Sequence, residues 1–211
     1  MTVKYLLFDF DNTLYDPSVY KMEQYMMDKV YQFSMEKLHI SYEEAFLILE
    51  GYYKKYGCVA AGLALENKIP IEEQIMEFDF SMLKPNSKLK FALKQIPIRK
   101  AIFSNGYDYY VKGALKALKL ADCFDNFITA TELGTTPKPN RKSFEIACNL
   151  LGVHPSECVF FDDNIDNLKS AKEIGMYTVL CNYYDKDIPP FVDFRTNCLE
   201  SELEKILKRL A

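Results

Sequence analysis

The chain has 211 residues, enough for one α/β domain with a sizeable core, or for a domain carrying a small insert. Hydrophobic content of 49% and charged content of 27% are those of an ordinary globular protein, and a formal net charge of −4 argues against a surface that coats nucleic acid. No apolar stretch is long enough to cross a bilayer and no export signal is expected, while six scattered cysteines without a Cys-x-x-Cys pair exclude a zinc or disulfide framework and predict the reducing cytosol.

The apolar run Tyr5-Leu6-Leu7-Phe8 predicts a strand buried on both faces, as in a parallel sheet. Asp9 and Asp11 follow at its carboxyl end, where ligands bind in open α/β sheets. Side chains two apart share a face, so both acids can address one small volume. They would repel each other unless a proton or a cation sits between them, and a hard, oxygen-ligated metal ion suits them. Asp16-Pro17 then predicts a helix start, with Val19, Met22, Met26, Val30 and Phe33 as the apolar face of the helix. Ser41 to Glu44 is a capping box opening a second helix, with Phe46, Leu49 and Tyr53 as its stripe and Gly57 as its stop. A broken helical pattern, interrupted at Pro70, covers 61–79. No strand pattern occurs from 16 to 84, a span too long for a simple crossover. The expected organisation is therefore a core of 1–15 and 85–211 and an inserted helical cap of 16–84, hinged near 14–16 and 84–85.

From Pro85 onward, helices and strands alternate. Helices are predicted over 87–96, 109–120, 141–151, 165–174 and 199–210. Strands are predicted over 100–103, 127–130, 159–161 and 177–180. Strands separated by single helices mean βαβ units. The fold class is α/β: a Rossmann-like parallel sheet with helices on both faces and a small helical cap after the first strand.

Each candidate group sits just after a strand. Asp9 and Asp11 follow the first, Ser104-Asn105-Gly106 the second, Lys138 the third, and Asp162-Asp163 the fourth. In a parallel sheet these loops emerge on one edge and can converge. Taken singly, each has a bland explanation: a turn, a solvated charge, a helix cap. Together they suit phosphoryl transfer through an aspartyl phosphate. One carboxylate attacks phosphorus and another moves the proton. A hydroxyl, a backbone N–H and an ammonium hold phosphate oxygens, and Mg²⁺ offsets the charge.

Asp9-x-Asp11-x-Thr13, Ser104-Asn105, Lys138 and Asp162-Asp163, in that order, resemble the four motifs of the haloacid dehalogenase-like hydrolases. The resemblance spans nearly the whole chain and implies a role for each position. Asp9 would be nucleophile and metal ligand. Asp11 would be the general acid/base, with its backbone carbonyl on the metal and Thr13 in support. Ser104 and Asn105 would bind phosphate, and Lys138 would steady both nucleophile and phosphate. Asp163 would hold Mg²⁺, with Asp162 a second ligand or one shell out. Asn167 stands where many relatives carry an acid, and neighbouring Asp166 leaves that alignment open by one residue.

Tyr52-Tyr53-Lys54-Lys55-Tyr56-Gly57 followed by Gly62-Leu63 is similar to the cap of pyrimidine 5′-nucleotidases of this superfamily. That narrower resemblance implies a nucleoside monophosphate such as UMP or CMP, met by Tyr53, Lys54, Lys55 and Tyr56. Tyr53 and Tyr56, three apart, are expected to share a face while Tyr52 points elsewhere. The alternatives are a phosphoglycolate or sugar-phosphate phosphatase, a phosphomutase, or a non-catalytic phospho-receiver or scaffold. The expected partner is a small phosphate ester, with no nucleic-acid polymer and no membrane; the sequence is silent on oligomeric state.

Overall fold

Strand β1 (Tyr5–Phe8) is buried along its whole length and divides its side chains between two cores. Leu6 and Phe8 enter one, Tyr5 and Leu7 the other. This is the two-faced burial its apolar run requires, and in the computed structural model, which describes residues 2–184 and 187–209, it occupies the middle of the sheet. The other strands are β2 (Arg99–Phe103), β3 (Asn126–Ile128), β4 (Cys158–Asp162), β5 (Tyr177–Cys181) and β6 (Phe194–Thr196). All pair in parallel in the order β3-β2-β1-β4-β5-β6. The order reverses at β1, so a crevice opens between the ends of β1 and β4, the place where such sheets bind ligands.

Four α-helices lie between β1 and β2, the first three being α1 (Met22–Leu38), α2 (Tyr42–Tyr56) and α3 (Val59–Glu66). These three are followed by a 3₁₀ turn at Ile71–Glu73 and by α4 (Ser87–Lys94). The core continues with α5 (Asp108–Ala117), the single turn α6 (Ala130–Leu133), α7 (Arg141–Leu151), α8 (Ile165–Glu173) and α9 (Leu199–Lys208). Leu89, Ala114 and Ile206 bring α4, α5 and α9 onto one face of the sheet, and Phe144 and Leu168 bring α7 and α8 onto the other. No described helix is long and apolar enough to cross a membrane.

Several local expectations are corrected. The first helix starts at Met22, not Asp16, because Asp16 closes a turn instead: its Oδ1 accepts from the Ser18 N–H and hydroxyl at 2.8 and 2.7 Å. The capping box of α2 is formed, and Gly57 ends that helix at φ +75°. Its stripe is only partly buried: Leu49 is enclosed, whereas Phe46 stacks on Tyr31 near the surface and Tyr53 is half exposed. Strand β3 stops at Ile128 because the capping box of Thr129 and Glu132 starts α6. The edge strand β6 escaped prediction, since three residues carry no periodicity. The predicted end of the last helix at Leu210 lies outside the described residues.

The insert rejoins the core earlier than its sequence suggests. Gln74 is fully buried, and its Oε1 accepts from Tyr107 OH at 2.7 Å. Tyr109 OH donates to the Gln74 carbonyl and accepts from Met76 N–H, each at 3.0 Å. Phe78 packs edge-on to Tyr110, and Phe80 fills the space over Gly113, where a Cβ would lie 2.3 Å from its ring. The stretch from Gln74 to Phe80 is thus fastened to α5, upstream of the expected hinge at 84–85.

Candidate active site

The four strand-end groups converge. Lys138 is 1% exposed, and its ammonium donates to Asp9 Oδ1 at 2.7 Å and to Asp162 Oδ2 at 2.8 Å. Its Nζ also lies 5.1 Å from the ring centres of Phe103 and Phe160, so the charge is walled by aromatic faces. Burial works to lower the pKa of Lys138, but the charges of Asp162 and Asp9 outweigh it and the pKa is raised. The ammonium is a permanent cation at the centre of the site.

Three carboxylates face that single cation. Oxygens of Asp9, Asp162 and Asp163 lie within 4.8 Å of one another. Burial and mutual repulsion raise Asp9 to about 7, against the pull of Lys138, and raise Asp163 to about 9. The excess negative charge and the all-oxygen donor set fit a divalent hard cation such as Mg²⁺. The three acids are not equivalent. Asp162 is fully buried, and its oxygens accept from Lys138, from Asn164 N–H at 2.8 Å and from Asn167 Nδ2 at 3.2 and 3.0 Å. Those contacts occupy the lone pairs of a carboxylate. Asp163 receives no hydrogen bond from the described residues and lines the cavity. Asn167 faces Asp162, while Asp166 is exposed at the rim of the same cavity. Thr13 reaches Asp9 Oδ2 with its hydroxyl at 3.4 Å.

Asp11 stands apart from the acidic trio. Its Oδ1 accepts from Tyr15 OH at 2.6 Å and from Tyr110 OH at 2.7 Å. Burial raises its carboxyl to about 6, against those two hydrogen bonds. Both phenols are themselves pushed upward, first by burial and then by the Asp11 charge, so they remain donors.

The second and third loops are clamped to each other. Asn105 Nδ2 donates to the Lys138 carbonyl and Lys138 N–H donates to Asn105 Oδ1, both at 2.8 Å. The Asn105 side chain thus braces the Lys138 loop through one donor and one acceptor. Ser104 is nearly buried, and its hydroxyl accepts from Gly106 N–H at 3.0 Å.

A cavity of about 700 Å³ opens over these groups. The helical insert forms its outer wall with Glu23, Met26, Met27 and Val30 of α1 and with 53–60. The four cap residues singled out all line the cavity, and the Tyr53 hydroxyl is pushed up by burial and then by the charges of Glu23 and Asp163. Tyr56 and Lys55 turn to Glu66 of α3, Lys55 at 2.7 Å, while Lys54 lies 3.7 Å from Glu50. The Tyr56 ring pairs with Tyr52, although Tyr53 and Tyr56 both line the cavity. The reason is the Gly62 gap: Tyr52 packs where a Cβ at Gly62 would lie 2.3 Å away, so α3 draws the 52/56 face toward itself.

The turn after α2 closes onto the core. Cys58 Sγ lies 3.7 Å from the Asn105 carbonyl, and a Cβ on Gly57 would sit 2.7 Å from Pro139 Cδ and 2.8 Å from the Lys138 oxygen. Sequence reasoning missed this contact, along with Tyr15, Tyr110 and the α1 wall. Tyr15 had a local signal, lying four residues after Asp11. Tyr110, ninety-nine residues away, had none.

A family model described as haloacid dehalogenase-like hydrolase matches residues 3–175. Phosphate metabolism protein 8 of Saccharomyces cerevisiae is 31% identical over 84% of this chain, which spans only 61% of that protein's length. Glyceraldehyde 3-phosphate phosphatase of Methanocaldococcus jannaschii is 29% identical over 99% of this chain and 98% of its own. The solved L-2-haloacid dehalogenase of Xanthobacter autotrophicus aligns over the full length of both chains, with a TM-score of 0.64 at 17% identity.

Proposed function

The chain belongs to the haloacid dehalogenase-like hydrolases, and from that premise we propose that it is a Mg²⁺-dependent phosphatase that works through an aspartyl phosphate on a small phosphomonoester. The observation that carries this reading is the pairing of two differently held acids on one cavity. Asp9 is gripped by Lys138, which aims one oxygen and pulls toward the anion against the burial that raises the carboxyl. Asp11 is held apart, with its carboxyl raised to about 6. A halide leaves carbon without a proton, whereas an alkoxide leaving phosphorus needs one, and Asp11 is the group that can supply it. That requirement favours a phosphatase over a dehalogenase on this fold.

Asp9 attacks phosphorus, and Asp11 protonates the departing oxygen. Asp11 then takes a proton from the water that hydrolyses the acyl phosphate. Ser104, the Asn105 backbone N–H and Lys138 hold the phosphate oxygens. Asp9, the Asp11 backbone carbonyl and Asp163 would hold the metal, which supplies positive charge against the phosphate dianion. Asp162 acts one shell out by anchoring Lys138 and Asn167, because its lone pairs are filled. The insert 16–84 serves as the cap, its turn at Gly57 excluding water from the phosphoenzyme. Six free cysteines suit a reducing compartment, which we take to be the cytoplasm.

For substrate, we favour a nucleoside 5′-monophosphate. Beyond the phosphate groups the cavity is lined by the apolar side chains of Met26, Met27 and Val30 and by Tyr53. A three-carbon phosphate would leave that lining uncovered; a base and ribose would cover it. The M. jannaschii relative supports the other choice, a small sugar phosphate. The test is kcat/KM with Mg²⁺ for UMP, CMP, AMP, phosphoglycolate and glyceraldehyde 3-phosphate. A preference for either three- or two-carbon ester over all nucleotides ends the nucleotidase reading and leaves the phosphatase reading standing.

A further inference from the structure

Tyr15 and Tyr110 reach the same oxygen of Asp11 from opposite ends of the insert. Tyr15 lies on the chain leaving the core, and Tyr110 sits in the first turn of α5, to which the returning chain is fastened. A buried tyrosine hydroxyl needs one partner, and any acceptor would serve. Here two hydroxyls converge on Oδ1 alone. No described residue hydrogen-bonds Oδ2, and no buried side-chain oxygen among the described residues lacks a partner, so Oδ2 is open to the cavity that Asp11 lines. Neither tyrosine is part of that lining. Their rings cannot swing away. Phe10 stands edge-on to both, at 5.6 Å from Tyr15 and 6.0 Å from Tyr110, and Phe78 closes on Tyr110 at 4.9 Å.

We infer that Tyr15 and Tyr110 are positioning residues for Asp11, which by donating together to Oδ1 fix the plane of the carboxyl and leave its transferable proton on Oδ2, facing the leaving group. An oxygen that already accepts two hydrogen bonds has no free place for a proton. When an Asp9 oxygen bonds to phosphorus and the ester P–O bond breaks, the departing oxygen takes the proton from Asp11 Oδ2. The negative charge left on Asp11 is met at Oδ1 by the two hydroxyls, which are in place before the reaction starts. In the second half-reaction the attacking water returns a proton to Oδ2. Neither tyrosine touches the substrate; both act through Asp11. The inference rests on the phosphatase reading.

The test uses Tyr15→Phe, Tyr110→Phe and the double variant, each of which keeps its ring and loses only a hydroxyl. The readout is kcat/KM, which reports events up to departure of the leaving group, for 4-nitrophenyl phosphate and for an alkyl phosphate. Nitrophenolate leaves without a proton; an alkoxide does not. The double variant should lose about ten- to hundredfold on the alkyl ester and about threefold or less on the aryl ester, a part of the ~10²–10⁴ that general acid catalysis supplies. Melting curves check the fold, and the single variants carry the comparison if the double variant is unstable. Equal losses on both esters, as a merely structural role would give, or no loss at all, would overturn the inference while the active wild type upholds the phosphatase reading. A wild type inactive on every phosphate ester would overturn both.

Discussion

Replacing Lys138 by methionine keeps the length and apolar stem of the side chain and removes its charge. The ammonium is buried and pairs with Asp9 at 2.7 Å and Asp162 at 2.8 Å, and no other cation among the described residues pairs with either. Breaking a buried ion pair by deleting one partner costs about 3–5 kcal/mol. In a chain of this size each kcal/mol moves the melting midpoint by ~2–4 °C, so the variant should melt about 6–20 °C below wild type. The stranded carboxyls can escape by taking up protons, and Asp9, already raised to about 7 by burial, would rise further without its partner. The deficit should therefore be smallest at about pH 5, where neutral carboxyls need no counter-charge, and largest above about pH 8. Melts followed by circular dichroism in EDTA, across that pH range, measure it directly. A variant that tracks wild type within about 2 °C at every pH would refute the argument that Lys138 is the counter-ion of the site. Phosphatase activity should be lost in parallel, since Asp9 loses the group that aims it.

The unsubstituted protein carries the same linkage. Asp9, Asp11 and Asp163 all sit above the ordinary carboxylate value of 3.8, at about 7, 6 and 9, so the folded chain binds more protons than the unfolded one. Metal-free stability should fall as pH rises from about 5 to about 9, and added Mg²⁺ should raise the melting point more at the alkaline end; an Mg²⁺ effect independent of pH would count against the acidic trio as its site. Asp9→Asn should abolish turnover, because an amide does not form the acyl phosphate, whereas Asp11→Asn should still bind Mg²⁺ and phosphate in calorimetry while losing proton transfer. Gly57→Ala should cost about 1–2 kcal/mol from its positive φ and, because the new Cβ meets Pro139 and the Lys138 carbonyl, should lift the turn off the core and lower kcat/KM; unaltered kinetics would mean the turn does not seal the site. Tyr53→Ala should reduce kcat/KM for a nucleotide by about tenfold or more while sparing an aryl phosphate, whereas Tyr56→Ala, which loses its tie to Glu66, should lower the melting point and leave that preference unchanged.

The sequence by itself determined five of the six described strands and the edge on which their polar groups gather. Buried parallel strands need continuous apolar runs, and those runs end where the polar groups begin, so Asp9, Ser104, Lys138 and Asp162 could be placed on one rim before any contact was known. The capping box at Ser41, the stop at Gly57 and the helix Arg141–Leu151 were legible because their signals are local and a few residues long. Tertiary structure decided everything that depends on which groups meet. The Asn105 amide braces the Lys138 backbone, and the oxygens of Asp162 are engaged by Lys138, Asn164 and Asn167; a motif gives residue types, not the hydrogen bonds each makes. Tyr53 and Tyr56 share a helix spacing, yet Tyr56 turns its hydroxyl to Glu66 of α3 and Tyr53 does not, because a helix face is defined by what packs on it. Tyr15 and Tyr110 lie ninety-five residues apart in the chain and meet on one oxygen only because the segment after β1 packs against α5 in the fold. Periodicity reports the burial of a segment against an unspecified partner; the identity of that partner is a long-range fact, fixed when the strands take their order and the insert folds back over them.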